Sequence, residues 1–285
     1  MEINQITVLG AGTMGHGIAQ NFAMINKKVT LYDIHEQAIE RAIQSIKQNL
    51  ESSVKIGKLE TEQAAFALRN ISTSLELKTA VKDSNLVIEA VPENMELKKD
   101  IFRQLDFLTA PHTLLATNTS ELSVTAIASA TNRPDKVIGM HWFNPAPIMK
   151  LIEIVKGVNT SEETIKAIEK LSKELGKITI AVKDSQGFVT TRALAAHMLE
   201  CMRMLEEGVA SAQDIDTGVK YGLNYPMGPL ELADLVGLDT MLFASEGLAQ
   251  AYGDRFRAPQ ILHKLVEAGH LGRKAGKGFY HYKGE

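Results

Sequence analysis

The feature that most constrains the fold lies near the start of the chain, where an apolar run passes directly into a glycine-rich turn. Residues 6–15 read Ile-Thr-Val-Leu-Gly-Ala-Gly-Thr-Met-Gly, and a helical pattern follows over residues 16–24. In such a strand–turn–helix unit, Gly10 permits the tight turn, Gly12 lets a pyrophosphate approach the backbone, and Gly15 lets the helix pack close to the strand. The segment therefore predicts a dinucleotide-binding βαβ unit.

The residues around this turn also indicate which dinucleotide would bind. Thr13 and Met14 lie where the helix begins, and the free N–H groups of a helix N-terminus attract phosphate. A second strand is predicted over residues 28–32, and Asp33 follows it, 18 residues after Gly15. A carboxylate at this spacing binds ribose hydroxyls and repels a 2′-phosphate, so we predict NAD rather than NADP. A glycine turn without any ligand is the alternative.

Composition narrows the class of protein. The chain has 285 residues, which is enough for two domains, and its net charge of −3 offers no basic surface for nucleic acid. The single cysteine, Cys201, lies in an apolar helical run and is predicted to be a small core residue. The sequence carries neither a signal-peptide pattern nor a long apolar run, so we expect a cytoplasmic protein without a membrane partner. We expect no metal site.

Strand-like and helical patterns alternate over the first part of the chain and predict a mostly parallel sheet of the α/β Rossmann type. The inserted segment at about residues 36–70 is predicted to be a helical pair that breaks at Gly57. A later helix over residues 161–175 is predicted to begin with a capping box formed by Thr160 and Glu163. The predicted strands cover residues 3–9, 28–32, 85–91, 113–117, 137–142, 150–155 and 178–182.

The pattern changes near residues 184–187, because only helical patterns follow until the last few residues. We therefore predict an NAD-binding domain over residues 1–185 and an all-α C-terminal domain over residues 186–285, which would contribute to the substrate cleft and to dimerisation. The predicted helix over residues 188–207 is apolar around most of its circumference, which favours wide burial and a homodimer. A central helix of a monomer is the alternative.

Polar residues at the ends of later strands indicate a catalytic site, because ligands bind beyond the carboxyl ends of strands in an open α/β sheet. His141 lies in one such strand, and a histidine with an ordinary pKa of about 6.5 suits proton transfer to and from an alcohol. Glu153 lies 12 residues later in an apolar strand, where an unpaired carboxylate is costly to bury. We predict that the two side chains pair. A structural histidine is the alternative.

Taken together, these segments resemble the L-3-hydroxyacyl-CoA dehydrogenase family, in particular the short bacterial 3-hydroxybutyryl-CoA dehydrogenases. The resemblance covers essentially the whole chain. Besides the glycine-rich turn, the motifs that carry it are Asn-Thr-Ser at residues 118–120, His-Trp-Phe-Asn-Pro at 141–145, Lys-Leu-Ile-Glu at 150–153, Tyr-Pro-Met-Gly-Pro at 225–229 and Gly-Arg-Lys-Ala-Gly-Lys-Gly-Phe-Tyr at 272–280.

The resemblance implies roles for particular residues. His141 would be the general base toward the 3-hydroxyl, Glu153 would orient it, and Ser120 would bind the substrate oxygen near the nicotinamide. For Lys98 and Lys274, two further residues with implied roles, a solvated surface side chain is the alternative, because lysines are mostly exposed. The implied further NAD contacts are Glu93, Lys98, Asn144 and Lys274.

Two segments carry the implications for the substrate. The family places the CoA phosphates near the helical pair, where Lys55 and Lys58 flank the predicted break; a solvated turn is the alternative. At the domain junction, Thr191 stands where the family usually has an asparagine that contacts substrate, and Gln186 stands where it usually has a proline. A hydroxyl is shorter than a carboxamide. This departure predicts a slower enzyme or a shifted substrate range.

The resemblance thus predicts an NAD-dependent oxidation of short L-3-hydroxyacyl-CoA, such as 3-hydroxybutyryl-CoA, to 3-oxoacyl-CoA, and the reverse reaction, within fatty acid metabolism. One alternative is a dehydrogenase of a 3-hydroxy acid that is not a thioester. Another alternative is an NAD-binding protein without catalytic activity, because Thr191 stands in place of the asparagine that contacts substrate in the family.

Overall fold

The computed structural model describes residues 2–282, and the chain divides into two compact units, one ending at Ser185 and one beginning at Gln186. The first unit is built on one eight-stranded sheet with the order β3-β2-β1-β4-β5-β6-β7-β8. All neighbouring strands are parallel except β6 and β7, which are antiparallel. The strands are β1 (Gln5–Leu9), β2 (Lys28–Tyr32), β3 (Ile71–Ser74), β4 (Leu86–Glu89), β5 (Leu114–Thr117), β6 (Val137–Trp142), β7 (Leu151–Lys156) and β8 (Ile178–Lys183).

Burial explains which strands the sequence reveals. Every residue of β4, β5 and β6 is buried, as expected for parallel strands with both faces covered. The sequence reasoning missed β3, whose residues Ile-Ser-Thr-Ser lie at the edge of the sheet and are half-buried or exposed. A short edge strand with three hydroxyl residues has neither an apolar run nor a clear apolar face, so its pairing with β2 decides its structure.

Over residues 2–185, the first unit has seven α-helices: α1 (Thr13–Met24), α2 (Glu36–Lys55), α3 (Thr61–Arg69), α4 (Leu77–Val81), α5 (Met95–Leu108), α6 (Val124–Ala128) and α7 (Glu162–Glu174). The predicted helical pair is present as α2 and α3, and Gly57 between them has a φ of +69°. The predicted cap of α7 was wrong by one residue. Ser161 is the N-cap and accepts a hydrogen bond from the Thr164 N–H, whereas the Thr160 hydroxyl donates to the Val137 carbonyl.

The second unit is helical, with α8 (Thr190–Glu206), α9 (Ala212–Thr217), α10 (Pro229–Val236), α11 (Leu238–Tyr252) and α12 (Gln260–Glu267). Its core contains Cys201, and burial with nearby acidic charge raises the pKa of that thiol to about 11. The composition of α8 favours burial around most of its circumference, but the structure buries a smaller part of the helix surface. Met198 and Leu199 are buried, whereas Ala193 and Ala196 are exposed. Within one chain, the helix buries one face only.

One buried aspartate, Asp234, explains why the last motif of the chain is rich in glycine. Asp234 of α10 accepts hydrogen bonds from the Phe279 and Tyr280 N–H groups, both at 3.0 Å. A Cβ on Gly278 would lie 1.9 Å from an Asp234 oxygen, and one on Gly272 would lie 2.2 Å from the Asp234 carbonyl oxygen. Glycines at these two positions therefore let the chain close around Asp234. This is a structural role within the second unit.

Candidate active site

The glycine-rich turn has the geometry that a pyrophosphate cradle requires. Gly10 has a φ of +97°, and a Cβ there would lie 2.6 Å from the Ala90 carbonyl oxygen. A Cβ on Gly15 would lie 1.7 Å from the Gly10 carbonyl oxygen, so α1 can approach the turn only with glycine at that position. Gly12 is different, because a Cβ there would meet no atom within 4 Å. Its open face leaves room for a phosphate at the N-terminus of α1, which begins at Thr13.

Asp33 closes this turn from the end of β2. One carboxylate oxygen accepts the Ala11 N–H at 2.8 Å, and the other accepts the His35 N–H at 2.9 Å. The carboxylate is therefore held at the carboxyl edge of the sheet, beside the glycines. Burial and the charge of Asp33 raise the pKa of the neighbouring Tyr32 hydroxyl. The fixed aspartate and the open glycine fit the ribose and the pyrophosphate of NAD.

A buried ion pair lies under the next part of the site, where β4 ends. Glu89 and Lys98 are 0% and 1% exposed, and their side chains are 2.6 Å apart. Glu89 also accepts the Thr117 hydroxyl at 2.7 Å, and Lys98 donates to the Val91 carbonyl at 3.2 Å. Lys98 is therefore not a solvated surface lysine. The contacts of Lys98 with Glu89 and Val91 connect α5 to the end of β4 and to the loop that follows it, and the bond between Glu89 and Thr117 adds β5.

Glu93 links that loop to the segment after β5. One of its carboxylate oxygens accepts the Ser120 N–H at 2.9 Å and the Thr119 hydroxyl, and the other lies 3.2 Å from the Lys98 ammonium. Asn118 extends the network, because its side-chain oxygen accepts the Trp142 N–H at 2.9 Å. These bonds hold the predicted residues Glu93, Lys98 and Ser120 together at one edge of the sheet.

His141 and Glu153 face each other across the antiparallel pair of β6 and β7. The His141 Nδ1 lies 2.6 Å from a Glu153 carboxylate oxygen, and the two residues are 4% and 0% exposed. The predicted pairing is therefore present. A carboxylate at Nδ1 holds the ring in one orientation and favours the tautomer that carries its proton on Nδ1, which makes Nε2 the nitrogen that exchanges protons.

A groove of about 560 Å³ opens between α1, α2 and the 143–150 loop, which joins β6 to β7. Two predicted residues, Asn144 and Lys58, line it; Lys55 is exposed and does not. Lys150 and His16 add further basic groups, and none of the lining residues is acidic. The groove suits an anionic ligand. Its remaining lining residues are Thr13, Gln20, Met24, Asn49, Ser52, Ser53, Ile56, Pro145, Ala146, Pro147 and Ile148.

The second unit carries the remaining predicted residues. Lys274 lies in the turn that Asp234 holds, and its ammonium donates to both carboxylate oxygens of Asp239, at 2.6 and 2.7 Å. Although burial alone would raise the pKa of Asp239, its hydrogen bonds with Lys274 and Thr240 and the lysine charge lower it. Thr191 is half-buried in the first turn of α8.

Sequence reasoning did not single out Glu89 or Lys150. The signal for Glu89 was available, because a charged residue inside the apolar strand pattern of residues 85–91 must find a partner when buried. Lys150 belongs to the motif at residues 150–153, which gave it no role, and only the tertiary packing brings it to the groove. Over residues 2–282, no group of His, Cys, Asp and Glu is arranged to hold a metal ion, and no helix has the length and apolar content of a membrane span.

Each of the two units matches the model of a known protein family. Residues 5–185 match the model of the NAD binding domain of 3-hydroxyacyl-CoA dehydrogenase, and residues 187–282 match the model of its C-terminal domain. The chain is 44% identical to a probable 3-hydroxybutyryl-CoA dehydrogenase of Bacillus subtilis, with 99% of each chain covered. It is also 44% identical to a 3-hydroxybutyryl-CoA dehydrogenase of Clostridioides difficile, over 98% of this chain and 99% of the relative.

Solved structures agree with the sequence matches. The crystal structure of (S)-3-hydroxybutyryl-CoA dehydrogenase from Ralstonia eutropha superposes with a TM-score of 0.96 at 42% identity, covering 99% of this chain and 100% of the other. The predicted fold class, an α/β Rossmann-type NAD-binding domain followed by an all-α domain, is confirmed. Since both domain models and full-length relatives match, the chain belongs to the 3-hydroxyacyl-CoA dehydrogenase family.

Proposed function

We propose that this protein is an NAD-dependent L-3-hydroxyacyl-CoA dehydrogenase that acts on short chains such as 3-hydroxybutyryl-CoA. The observation that carries the proposal is the buried pair of His141 and Glu153, with 2.6 Å between the Nδ1 nitrogen and the carboxylate oxygen. Such a pair is a general base with a fixed orientation, which the oxidation of an alcohol requires. Membership of the family and the similarity to named 3-hydroxybutyryl-CoA dehydrogenases support the substrate class.

In the proposed mechanism, the Nε2 nitrogen of His141 takes the proton of the 3-hydroxyl, and Glu153 stabilises the imidazolium that forms. Ser120, which Glu93 positions through its backbone N–H, binds the same substrate oxygen. In the reverse direction, His141 returns the proton to the carbonyl oxygen of the 3-oxoacyl thioester. NAD supplies the hydride chemistry when bound.

The residues proposed to hold NAD fall into two groups. The glycine-rich turn would bind the pyrophosphate, and Asp33 would bind the adenosine ribose, in agreement with their geometry. The second group, proposed from the resemblance, would contact the nicotinamide half. For Lys98, whose ammonium already lies against Glu89, Val91 and Glu93, we propose a contact that adds to this network. The proposed residues are Gly10, Gly12, Thr13, Met14, Gly15 and Asp33, then Glu93, Lys98, Ser120, Asn144 and Lys274.

The groove between α1, α2 and the 143–150 loop is proposed to hold the CoA arm of the substrate. Its volume of about 560 Å³ suits an extended ligand, and its lining is basic and free of carboxylates. Lys58 would bind a CoA phosphate as a point charge, and Lys150 is a second candidate on the opposite wall. Lys55 lies outside the lining, so we propose only a long-range electrostatic contribution for it.

The oligomeric state and the cellular setting complete the proposal. We propose a homodimer formed through the second unit, which exposes large apolar side chains such as Leu223, Leu235 and Phe243. We also propose a cytoplasmic enzyme of fatty acid metabolism, since the chemistry interconverts hydroxyacyl and oxoacyl thioesters.

The decisive experiment follows NADH oxidation at 340 nm with acetoacetyl-CoA, for the wild type and for H141A. We expect turnover in the wild type and a loss of about 10²- to 10⁴-fold in H141A, the usual contribution of a positioned general base. Binding of NADH to H141A, measured by fluorescence, should stay unchanged. Turnover of free 3-hydroxy acids but not of the thioester would instead favour the dehydrogenase of free acids. NADH binding without any turnover would favour the non-catalytic alternative.

A further inference from the structure

A buried lysine lies directly beneath the 143–150 loop and has no role in the proposed mechanism. The Lys177 ammonium donates hydrogen bonds to the carbonyl oxygens of Ala146 and Met149, each at 2.7 Å. It also lies 5.3 Å from the centre of the Trp142 ring, within the range of a cation–π contact. The loop thus receives two charge-assisted hydrogen bonds from one side chain.

The backbone around Lys177 is itself fixed. Its N–H donates to the Ser172 carbonyl at the end of α7, and the next N–H, of Ile178, donates to the Lys150 carbonyl at 2.7 Å. Lys177 therefore connects the end of α7 to both the beginning and the end of the loop segment that it contacts. This makes it a rigid support from which the loop can be held.

The charge of Lys177 is costly for stability. The side chain is 9% exposed, and over residues 2–282 no carboxylate oxygen lies within 4.0 Å of its ammonium. Burial accordingly lowers its pKa. Carbonyl dipoles and an aromatic face compensate a buried cation only in part, and an apolar side chain of similar volume often serves stability equally well. A role beyond stability would explain the charge.

The loop that Lys177 holds is one wall of the groove. Four consecutive residues of the groove lining, at positions 145–148, lie between or next to the two bonded carbonyls, and Lys150 follows. We propose that Lys177 is a positioning residue that keeps the 143–150 loop in the conformation that binds the CoA arm of the substrate. The proposal rests on the proposed function. Without the ammonium, part of the binding free energy would be spent on ordering the loop.

The test compares K177M with K27M. Lys27 is a matched control, because it has the same exposure of 9% in the same unit but pairs with Glu174 and Asn4, away from the groove lining. We expect K177M to weaken the calorimetric affinity for CoA and to raise the KM for acetoacetyl-CoA by about tenfold, because the loop must then be ordered on binding. The kcat and the thermal midpoint should change little, and the affinity for NADH, to which this loop would contribute only Asn144, should fall by less than the affinity for CoA. K27M should lower the midpoint but leave CoA binding unchanged.

Each other outcome has a defined meaning. A folded K177M with CoA affinity within about twofold of wild type would overturn the proposal, since tenfold is the effect expected from loop ordering. If K177M does not fold, K177Q is measured in the same way, and failure of both to fold would also overturn it, because the ammonium would then be structural. A wild type that turns over acetoacetyl-CoA upholds the proposed function in either case. A wild type that neither binds CoA nor turns over the thioester would overturn both.

Discussion

At the scale of single residues, the pair of His141 and Glu153 shows how a sheet register brings a buried imidazole and a carboxylate together. The residues are 12 positions apart in the sequence, and the antiparallel turn between β6 and β7 brings them directly opposite each other. Their side chains lie on the same face, where opposed residues are near enough to interact. The sequence predicted that Glu153 needs a partner, and the register supplies it.

The first prediction concerns E153Q. A neutral glutamine cannot stabilise the imidazolium that returns the proton in the reductive direction, and by presenting its NH₂ group to Nδ1 it favours the tautomer in which Nε2 carries the proton, which disables the base in the oxidative direction. We expect kcat with acetoacetyl-CoA to fall by about 10²- to 10⁴-fold. The control E162Q removes an exposed carboxylate that pairs with Lys156 at the surface, and its kcat should stay at the wild-type value. A normal kcat in E153Q would contradict the proposed role.

The second prediction concerns Thr191, which stands where the family resemblance implies an asparagine that contacts substrate. T191N would introduce a longer side chain with a second hydrogen-bonding group at this position. We expect kcat/KM to rise by about tenfold or more for at least one acyl length, the scale of one hydrogen bond in a buried site. The matched control is T190N, one residue earlier in the same helix turn. A value of kcat/KM within twofold at every acyl length would show that the departure has no catalytic consequence.

At the scale of elements, buried charges join segments that are far apart in the chain. Glu89 and Lys98 connect the end of β4 to α5, and Thr117 adds β5. Removing Glu89 leaves the buried Lys98 ammonium with the Glu93 carboxylate at 3.2 Å as its remaining acidic neighbour, whereas removing both Glu89 and Lys98 takes the buried charge away. We therefore expect the segments that contain Glu93 and Ser120 to keep their arrangement only when Glu89 and Lys98 are both present.

The third prediction follows from this dependence. E89Q should lower the free energy of unfolding by about 3 kcal/mol, because Lys98 keeps its charge in a buried site. In the double variant E89Q/K98M, most of that loss should be recovered, while turnover stays low because Glu93 has lost the neighbouring ammonium. Urea unfolding and the NADH assay measure the two effects. A double variant less stable than E89Q would contradict this account.

The fourth prediction concerns the C-terminal end of α5, where Arg133 donates to Asp106 and to several backbone carbonyls. R133M should lower the free energy of unfolding at pH 7 by about 3 kcal/mol, since these carbonyls and a carboxylate lose their donor. The control R103M removes an exposed pair with Asp100 and should change stability by less than about 0.5 kcal/mol.

The same variant has an expected dependence on pH. Burial alone would raise the pKa of Asp106, but hydrogen bonds from Arg133 and Asn132 and the charge of Arg133 lower it overall. A lowered folded pKa stabilises the protein above the unfolded value of about 3.9, and this stabilisation is lost as pH falls through the folded pKa. The difference in stability between wild type and R133M should therefore shrink as pH falls below about 4. A constant difference would contradict the assignment.

At the scale of the whole molecule, the two units are built by different rules. The first buries parallel strands on both faces, whereas the second packs helices around a core that includes Met198, Leu199 and Leu238. The second unit leaves large apolar side chains exposed on α10 and α11, among them Leu235 and Phe243. A contiguous patch of such side chains would suit a surface that binds another protein, which is the basis of the proposed dimer contact.

The fifth prediction tests the proposed homodimer. The wild type should sediment as a dimer, and F243E should shift the population toward the monomer, because a charge at an apolar interface must be desolvated. The control F107E introduces the same charge at an equally apolar and more exposed position of the first unit and should remain dimeric. A dimeric F243E, or a monomeric wild type, would contradict the proposed contact.

Features that depend on local chemistry could be predicted from the amino-acid sequence. The glycine-rich turn, Asp33, the helical pair and the buried strands all follow from patterns within about 30 consecutive residues, where backbone sterics and hydrophobic periodicity act directly. The family resemblance then identified His141, Glu153 and Ser120 together.

Contacts between groups that are distant in the sequence depend on the packing of the whole chain. The edge strand β3 exists because β2 offers it backbone partners, and Ser161 rather than Thr160 caps α7 because the Val137 carbonyl engages the threonine. Packing places the charge of Lys98 against Glu89 and the charge of Lys177 against loop carbonyls, and no local pattern predicts either contact. Burial and long-range pairing depend on the whole chain, since the electrostatic energy of a charge depends on every group packed around it.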